Sequence, residues 1–159
     1  MRNCGVRMGL VLALMAAALA GLGAAQGSGD EKVVFVCEHG AAKSVIATVY
    51  FNKLAAERGL PDRATYRGAN PQAELSVSAL KGLREDGLAV PSAKPSAITS
   101  ADVAKASYIF AIGCSLPSHA ASSGKAESWD DVPEDQGFAA QRDAIKKHVE
   151  RLLDQIQKR

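Results

Sequence analysis

Aromatic side chains make up only 5% of this sequence, and they are scattered. No run of lysine or arginine accompanies them, so a nucleic-acid surface of stacking rings and basic stripe is excluded. There are three histidines, and no second His, Cys or carboxylate stands at ligand spacing from His39 to make it a metal ligand. Neither a metal nor a cofactor is expected. Internal repeats are absent. Apolar runs are short: Met8 to Ala20 is too brief to span a bilayer comfortably. Cysteine is limited to Cys4, Cys37 and Cys114.

The N-terminus reads as a targeting segment. Arg2 and Arg7 precede the apolar run, and Gly23, Ala24 and Ala25 follow it, which is the pattern of a secretory signal peptide over residues 1–25, cleaved after Ala25. An uncleaved N-terminal anchor is the alternative. Cys4 lies before the apolar run, unlike a lipoprotein cysteine. Removing Arg2 and Arg7 leaves 17 residues of each charge sign, so the mature chain is near neutral. Residues 26–32 form a polar, glycine-bearing flexible lead-in, and 33–159 supply one domain with enough apolar residues for a core. The expected location is periplasmic or secreted, with the membrane met only through the signal peptide. In an oxidising compartment Cys37 and Cys114 could form one structural disulfide.

The domain is organised around Val33 to Ser44. Val33, Val34, Phe35 and Val36 read as a buried strand. Cys37 follows, then a small-residue loop with Gly40, Ala41 and Ala42. From about Ser44 the residues Val45, Ile46, Val49, Tyr50 and Leu54 recur at helical spacing. A strand breaking through a tight loop into a helix aims backbone N–H groups and a helix N-terminus at one spot, an anion cradle. A cysteine opening that loop would have its thiolate stabilised and become a nucleophile, and Lys43 would add a full positive charge.

Further along, Arg58-Gly59-Leu60-Pro61 stops the helix, and Ala64 to Arg67 reads as a second strand. Leu75, Val77, Leu80, Leu83 and Leu88 make the apolar stripe of a helix closing at Asp86-Gly87. Thr99 and Ser100 are N-cap candidates for a short helix through Ala106, with Asp102 in its first turn. Tyr108 to Cys114 is an apolar strand suited to the middle of a parallel sheet. A loop from Ser115 to Lys125 follows, then an edge strand over Ala126 to Trp129 and an amphipathic helix marked by Phe138, Ile145, Val149, Leu152, Leu153 and Ile156. The alternation predicts an α/β domain with a parallel sheet.

The segment Cys37, five residues, Lys43, Ser44 resembles the signature of the low-molecular-weight protein-tyrosine phosphatases and the arsenate reductases of the same fold, in which strand, Cys, five residues, Arg, Ser or Thr and helix follow one another. Lysine stands where that family has arginine. The resemblance runs from about Val33 to Ile156. It implies a three-layer, flavodoxin-like phosphatase I fold with a four-stranded parallel sheet in the order 2-1-3-4. Cys37 would then lie at the switch point beyond the strand ends. It also implies Cys37 as nucleophile and Lys43 and Ser44 as catalytic partners. Glu38, His39, Gly40, Ala41 and Ala42 would form the anion-binding loop. Ser44 would hydrogen-bond the cysteine, or cap the helix, or both. Glu38 brings a negative charge to the anion site. His39 is either a substrate contact or a loop residue with no special role. His119 and His148 have weaker cases, with His148 read as solvated, and Trp129 is read as a packing residue.

In the family an aspartate, usually within Asp-Pro, protonates the leaving oxygen. The loop Trp129-Asp130-Asp131-Val132-Pro133-Glu134-Asp135 has no Asp-Pro. With one residue inserted after Trp129, Glu134 takes the acid position; otherwise Asp131 or Asp135 does. An acidic surface turn ahead of a helix is the plain alternative. Cys114 matches the first cysteine of the arsenate-reductase disulfide relay, but Ala121 stands at the second, so Cys114 is at most a direct redox partner of Cys37. The expected function is that of an exported phosphatase-like or arsenate-reductase-like enzyme. Its substrate would be a small oxyanion or a phosphorylated molecule, with a thiol reductant as a possible partner. The rival is an oxyanion-binding or redox-responsive domain without turnover.

Overall fold

The computed structural model describes residues 31–159. The expected signal peptide and most of the expected lead-in lie outside the described residues. Four parallel strands, β1 (Glu31–Cys37), β2 (Arg63–Gly68), β3 (Tyr108–Ala111) and β4 (Ala126–Ser128), pair in the order β2-β1-β3-β4. Helices α1 (Lys43–Glu57), α2 (Val77–Glu85), α3 (Ser100–Lys105), α4 (Ser118–Ala121) and α5 (Gly137–Gln157) complete the chain. The three-layer α/β architecture and the 2-1-3-4 order are those expected.

Burial follows position in the sheet. Val33 to Cys37 of β1 are all buried because β1 is central, with helices over both faces. On β2, Ala64, Tyr66 and Gly68 are buried while the alternate residues are half-exposed. One face, carrying Val33, Phe35 and Phe110, packs against Ile46, Phe51, Ile145 and Leu153 of α1 and α5. The other, carrying Val34, Val36 and Ile109, packs against Ile98, Ala106 and Ala120 around α3 and α4. The few aromatics, scattered in sequence, converge in the core. The Phe35 ring lies 5.9, 5.7 and 5.3 Å from those of Phe51, Phe110 and Trp129, spacings suited to edge and offset packing.

Several expectations need correction. β1 begins at Glu31, because Glu31 pairs with Arg63, so residues 31–32 belong to the sheet and not to the lead-in. Val77 leaves the predicted apolar stripe: it is 81% exposed on the first turn of α2, where Ala79 and Leu83 face inward. β3 ends at Ala111, because Gly113 turns the chain at φ 57°. The loop after Cys114 folds a short helix, α4. His148 is not solvated: its ring stacks 4.6 Å from Trp129 and its Nε2 lies 2.6 Å from Asp131 Oδ1.

The expected cap of α3 is present as a full capping box. Thr99 Oγ1 accepts from the Asp102 N–H at 3.1 Å, and the Thr99 N–H donates to Asp102 Oδ2 at 2.8 Å. Arg67, from the end of β2, adds two hydrogen bonds to the same carboxylate at 2.8 and 3.1 Å. Burial alone would raise the Asp102 carboxyl, but the bonds from Arg67 and Thr99 outweigh it and hold it below the ordinary aspartate value. A depressed carboxyl contributes stability that is full above the unfolded value of about 3.9 and is lost as pH falls through the lower folded value. Thr99→Ala is therefore expected to cost about 1 kcal/mol at neutral pH. Urea titrations should show that cost shrinking below about pH 4 as Asp102 protonates.

Candidate active site

β1 delivers Cys37 to the carboxyl edge of the sheet at the switch point, where its neighbours β2 and β3 lie on either side. The loop from Glu38 to Ala42 then folds under a specific constraint. The carbonyls of Cys37, Glu38, His39 and Ala41 accept from the N–H groups of Ala69, Asn70, Gln72 and Ser76 at 2.7–3.2 Å. Four carbonyls are thus tied back toward the β2–α2 segment. Among the described residues, no N–H from Glu38 to Lys43 donates to a loop, turn or cap carbonyl. The loop amides are left available to an anion, with the N-terminus of α1 beside them. Gly40 makes this packing possible. Its φ is 63°, and a Cβ there would sit 2.7 Å from the Gly68 nitrogen.

Cys37 is buried, and its Sγ lies 3.1 Å from Ser44 Oγ. Ser44 therefore acts toward the cysteine and not as a cap: α1 begins at Lys43, and its N-cap is Ala42. Lys43 is also buried, and its Nζ donates to Glu134 Oε1. The acidic loop thus places Glu134 over the anion loop, and Gln141 Nε2 holds the Glu134 carbonyl at 2.8 Å. Asp131 goes elsewhere. Its carboxylate is engaged by His148, whose hydrogen bond holds it below the ordinary aspartate range, and it does not line the cleft. Asp135 does not line it either.

The cleft encloses about 490 Å³ and joins Cys37, Lys43 and Glu134 to Glu38, His39, Ala41 and Ala42. Sequence reasoning missed Gln72, Ser76, Gly113 and Gln141, which also line it. They come from the β2–α2 segment, the turn after β3 and α5, and no local motif marks them. Cys37 and Cys114 are both free thiols. The Cys114 thiol is pushed up to about 11, first by burial and then by the negative charge of Cys37. Its Sγ leans on the Val36 carbonyl at 3.6 Å. His119 sits outside the cleft, 3.3 Å from the Ile98 carbonyl. Among the described residues no group of His, Cys, Asp or Glu is arranged to hold a metal ion.

Gly113 is the hinge of the Lys43–Glu134 contact. A Cβ at this position would lie 2.6 Å from Glu134 Oε1 and 2.7 Å from Lys43 Nζ, at a φ of 57° that L side chains rarely adopt. The crowded atoms are the ends of flexible side chains, so the fold can accommodate the change while the ion pair cannot. Gly113→Ala is expected to lose about 1–2 kcal/mol of stability from the left-handed backbone. It should also change the affinity for inorganic phosphate, read by calorimetry beside a urea melt.

The sequence profile of the family described as low molecular weight phosphotyrosine protein phosphatase matches residues 32–128. The chain belongs to this family. Family members are cysteine-dependent phosphatases and related arsenate reductases, and the Cys37 loop lies inside the matched span while the acidic loop lies beyond it. A search of curated proteins finds no match. Among solved structures, the YfkJ protein of Bacillus subtilis superposes with a TM-score of 0.73 at 24% identity, over 80% of this chain and 95% of that one. A thioredoxin-dependent arsenate reductase of Corynebacterium glutamicum gives 0.67 at 23%, over 82% of this chain and 63% of its own. A protein tyrosine phosphatase of Entamoeba histolytica gives 0.70 at 18%, over 81% and 97%. At these identities the likeness is one of fold. This chain spans less than two thirds of the arsenate reductase.

Proposed function

We propose that this family member is an exported phosphomonoester hydrolase that works through Cys37. The observation that carries the reading is the contact of Cys37 Sγ with Ser44 Oγ at 3.1 Å, at the base of a loop whose carbonyls are bonded away from the anion site. A hydroxyl donating to sulfur and amides facing a tetrahedral anion both favour a thiolate and its attack on phosphorus. In the first step the phosphoryl oxygens replace Glu134 on the Lys43 ammonium, and Glu134 takes a proton from water on leaving the ion pair. The Cys37 sulfur forms a bond to phosphorus, the ester P–O bond breaks, and Glu134 gives that proton to the departing oxygen. In the second, water attacks the phosphocysteine, Glu134 takes the water's proton, and the S–P bond breaks to release phosphate and the thiolate. Lys43 and the loop amides hold the phosphoryl oxygens throughout. Arsenate offers the same tetrahedral anion. Its reduction would need a thiol partner for Cys37, and Cys114, kept protonated by burial, is a slow one.

The experiment is a rapid-quench incubation of the reduced mature domain with an aryl phosphate, followed by intact mass and peptide mapping. One phosphoryl group on Cys37, formed before steady state, supports the mechanism. Turnover with no phosphocysteine at any time would overturn it. Export rests on the leader at residues 1–25. N-terminal sequencing of protein from the periplasm or medium is expected to begin at Gln26, and an intact N-terminus in the cytosol would refute it.

A second reading, an oxyanion-binding or redox-responsive domain without turnover, is favoured by one observation. The cation of the anion site is already engaged by Glu134. Phosphate binding with no hydrolysis in either redox state would establish that alternative.

A further inference from the structure

The walls of the cleft carry chemistry that the phosphoryl site does not use. Besides Cys37, Lys43 and Glu134 they carry the polar residues Glu38, His39, Gln72, Ser76 and Gln141. No Phe, Tyr, Trp, Leu, Ile, Val or Met lines the opening; the aromatics Phe35, Phe51, Phe110 and Trp129 are spent in the core. A flat aryl ester would find no aromatic or large aliphatic side chain to cover its ring, only Ala41 and Ala42 low in the cleft. The charges are equally specific. Lys43 is paired with Glu134, whereas Glu38 makes no ion pair among the described residues. The Glu38 carboxylate is nonetheless positioned: Asn70 Nδ2 donates to its Oε1 at 2.7 Å, and the Asn70 N–H binds the Glu38 carbonyl at 2.7 Å. Its other oxygen, Oε2, has no hydrogen-bond donor among the described residues.

An oriented, half-buried carboxylate without a cation, one residue from the nucleophile, is a cost in a site that must admit a phosphate dianion. A substrate with its own positive charge turns that cost into recognition. We propose that Glu38 is a specificity-determining residue, and that the substrate is a small, polar phosphomonoester bearing an ammonium group near the phosphoryl group. The phosphoryl end enters the Cys37 loop and the ammonium pairs with Glu38 Oε2, with Asn70 as the positioning residue for that carboxylate. This inference rests on the oxyanion-site reading above and adds the chemistry of the substrate's other end.

The test measures binding, so that it does not depend on turnover. Phosphoethanolamine and ethyl phosphate have arms of matched length and differ in the ammonium charge. Calorimetry on the Cys37→Ser domain, with and without Glu38→Gln or Asn70→Ala, gives the ratio of their dissociation constants, with inorganic phosphate as reference. Phosphoethanolamine is expected to bind about tenfold tighter than ethyl phosphate, as befits a hydrogen bond between charged groups. That ratio should fall toward one in Glu38→Gln, fall partway in Asn70→Ala, and shrink with added salt. A ratio near one in the parent domain, or a preference that survives Glu38→Gln, would overturn the proposal. So would binding of phenyl phosphate more tightly than phosphoethanolamine. If phosphate binds and neither alkyl ester does, the inference fails while the oxyanion site stands. If phosphate itself does not bind, both fall. A retained preference, beside absent hydrolysis of both esters by the protein that keeps Cys37, supports the inference and removes the hydrolase.

Discussion

Cys37→Ser is expected to abolish phosphomonoester hydrolysis, with kcat falling on the order of 10⁴-fold or more, as loss of a covalent nucleophile does elsewhere. The argument is chemical before it is structural. A serine hydroxyl near neutral pH carries almost no alkoxide, and among the described residues the side chain that hydrogen-bonds position 37 is a hydroxyl, Ser44 at 3.1 Å, and not a base. Lys43 and the loop amides would remain, so phosphate should still bind, and the loss should appear in kcat and not in the dissociation constant. Ser44→Ala removes only a hydrogen bond to sulfur. Its cost should be smaller, about tenfold to a hundredfold. A steady-state comparison of the two variants with an aryl phosphate checks both. Full activity in Cys37→Ser would remove the nucleophile from the mechanism.

The fold was legible because its signals are local. β1 is a run of β-branched residues, the stop at Gly59 coincides with a φ of 69°, and Thr99 and Asp102 spell a capping box that forms in full. The anion loop was legible for the same reason, since strand, cysteine, small residues and helix start are contiguous. What stayed hidden depends on contacts across the sheet. Asp131 and Glu134 are equivalent carboxylates in a linear reading of the acidic loop. Only the docking of α5 separates them, by setting His148 against Asp131 and Gln141 against the Glu134 backbone. Val77 fits the apolar spacing of α2, yet the Ser76 cap rotates it outward. Gln72 and Ser76 were missed as site residues, because they hold the anion loop through backbone N–H groups that any residue but proline carries.

The lysine at position 43 is the feature on which turnover depends most after the cysteine. Lys43→Arg is expected to raise kcat/KM about tenfold, because a guanidinium can offer two parallel N–H groups to the equatorial phosphoryl oxygens where an ammonium offers a point charge. Lys43→Met should lower it about 10²–10³-fold, the usual cost of removing an oxyanion donor. Glu134 separates two effects that are joined in the native protein. Its carboxylate engages the Lys43 ammonium, so in the free protein it occupies the place a substrate anion must take. In the proposed mechanism it is also the proton donor to the leaving group, and with Glu38 it is one of two carboxylates lining the cleft. Glu134→Gln should therefore tighten inorganic phosphate binding, because Lys43 is released, while kcat falls about 10²–10⁴-fold from loss of the proton donor. For an aryl phosphate whose leaving group needs no proton, kcat should fall far less. A general acid predicts that dependence on leaving group, and a merely structural carboxylate predicts equal losses for all esters. Should Lys43→Arg bring no gain and Lys43→Met no loss while Cys37 still becomes phosphorylated, the amides of Glu38 to Lys43 alone carry the oxyanion, and the Lys43–Glu134 pair acts as a strut joining the acidic loop to α1.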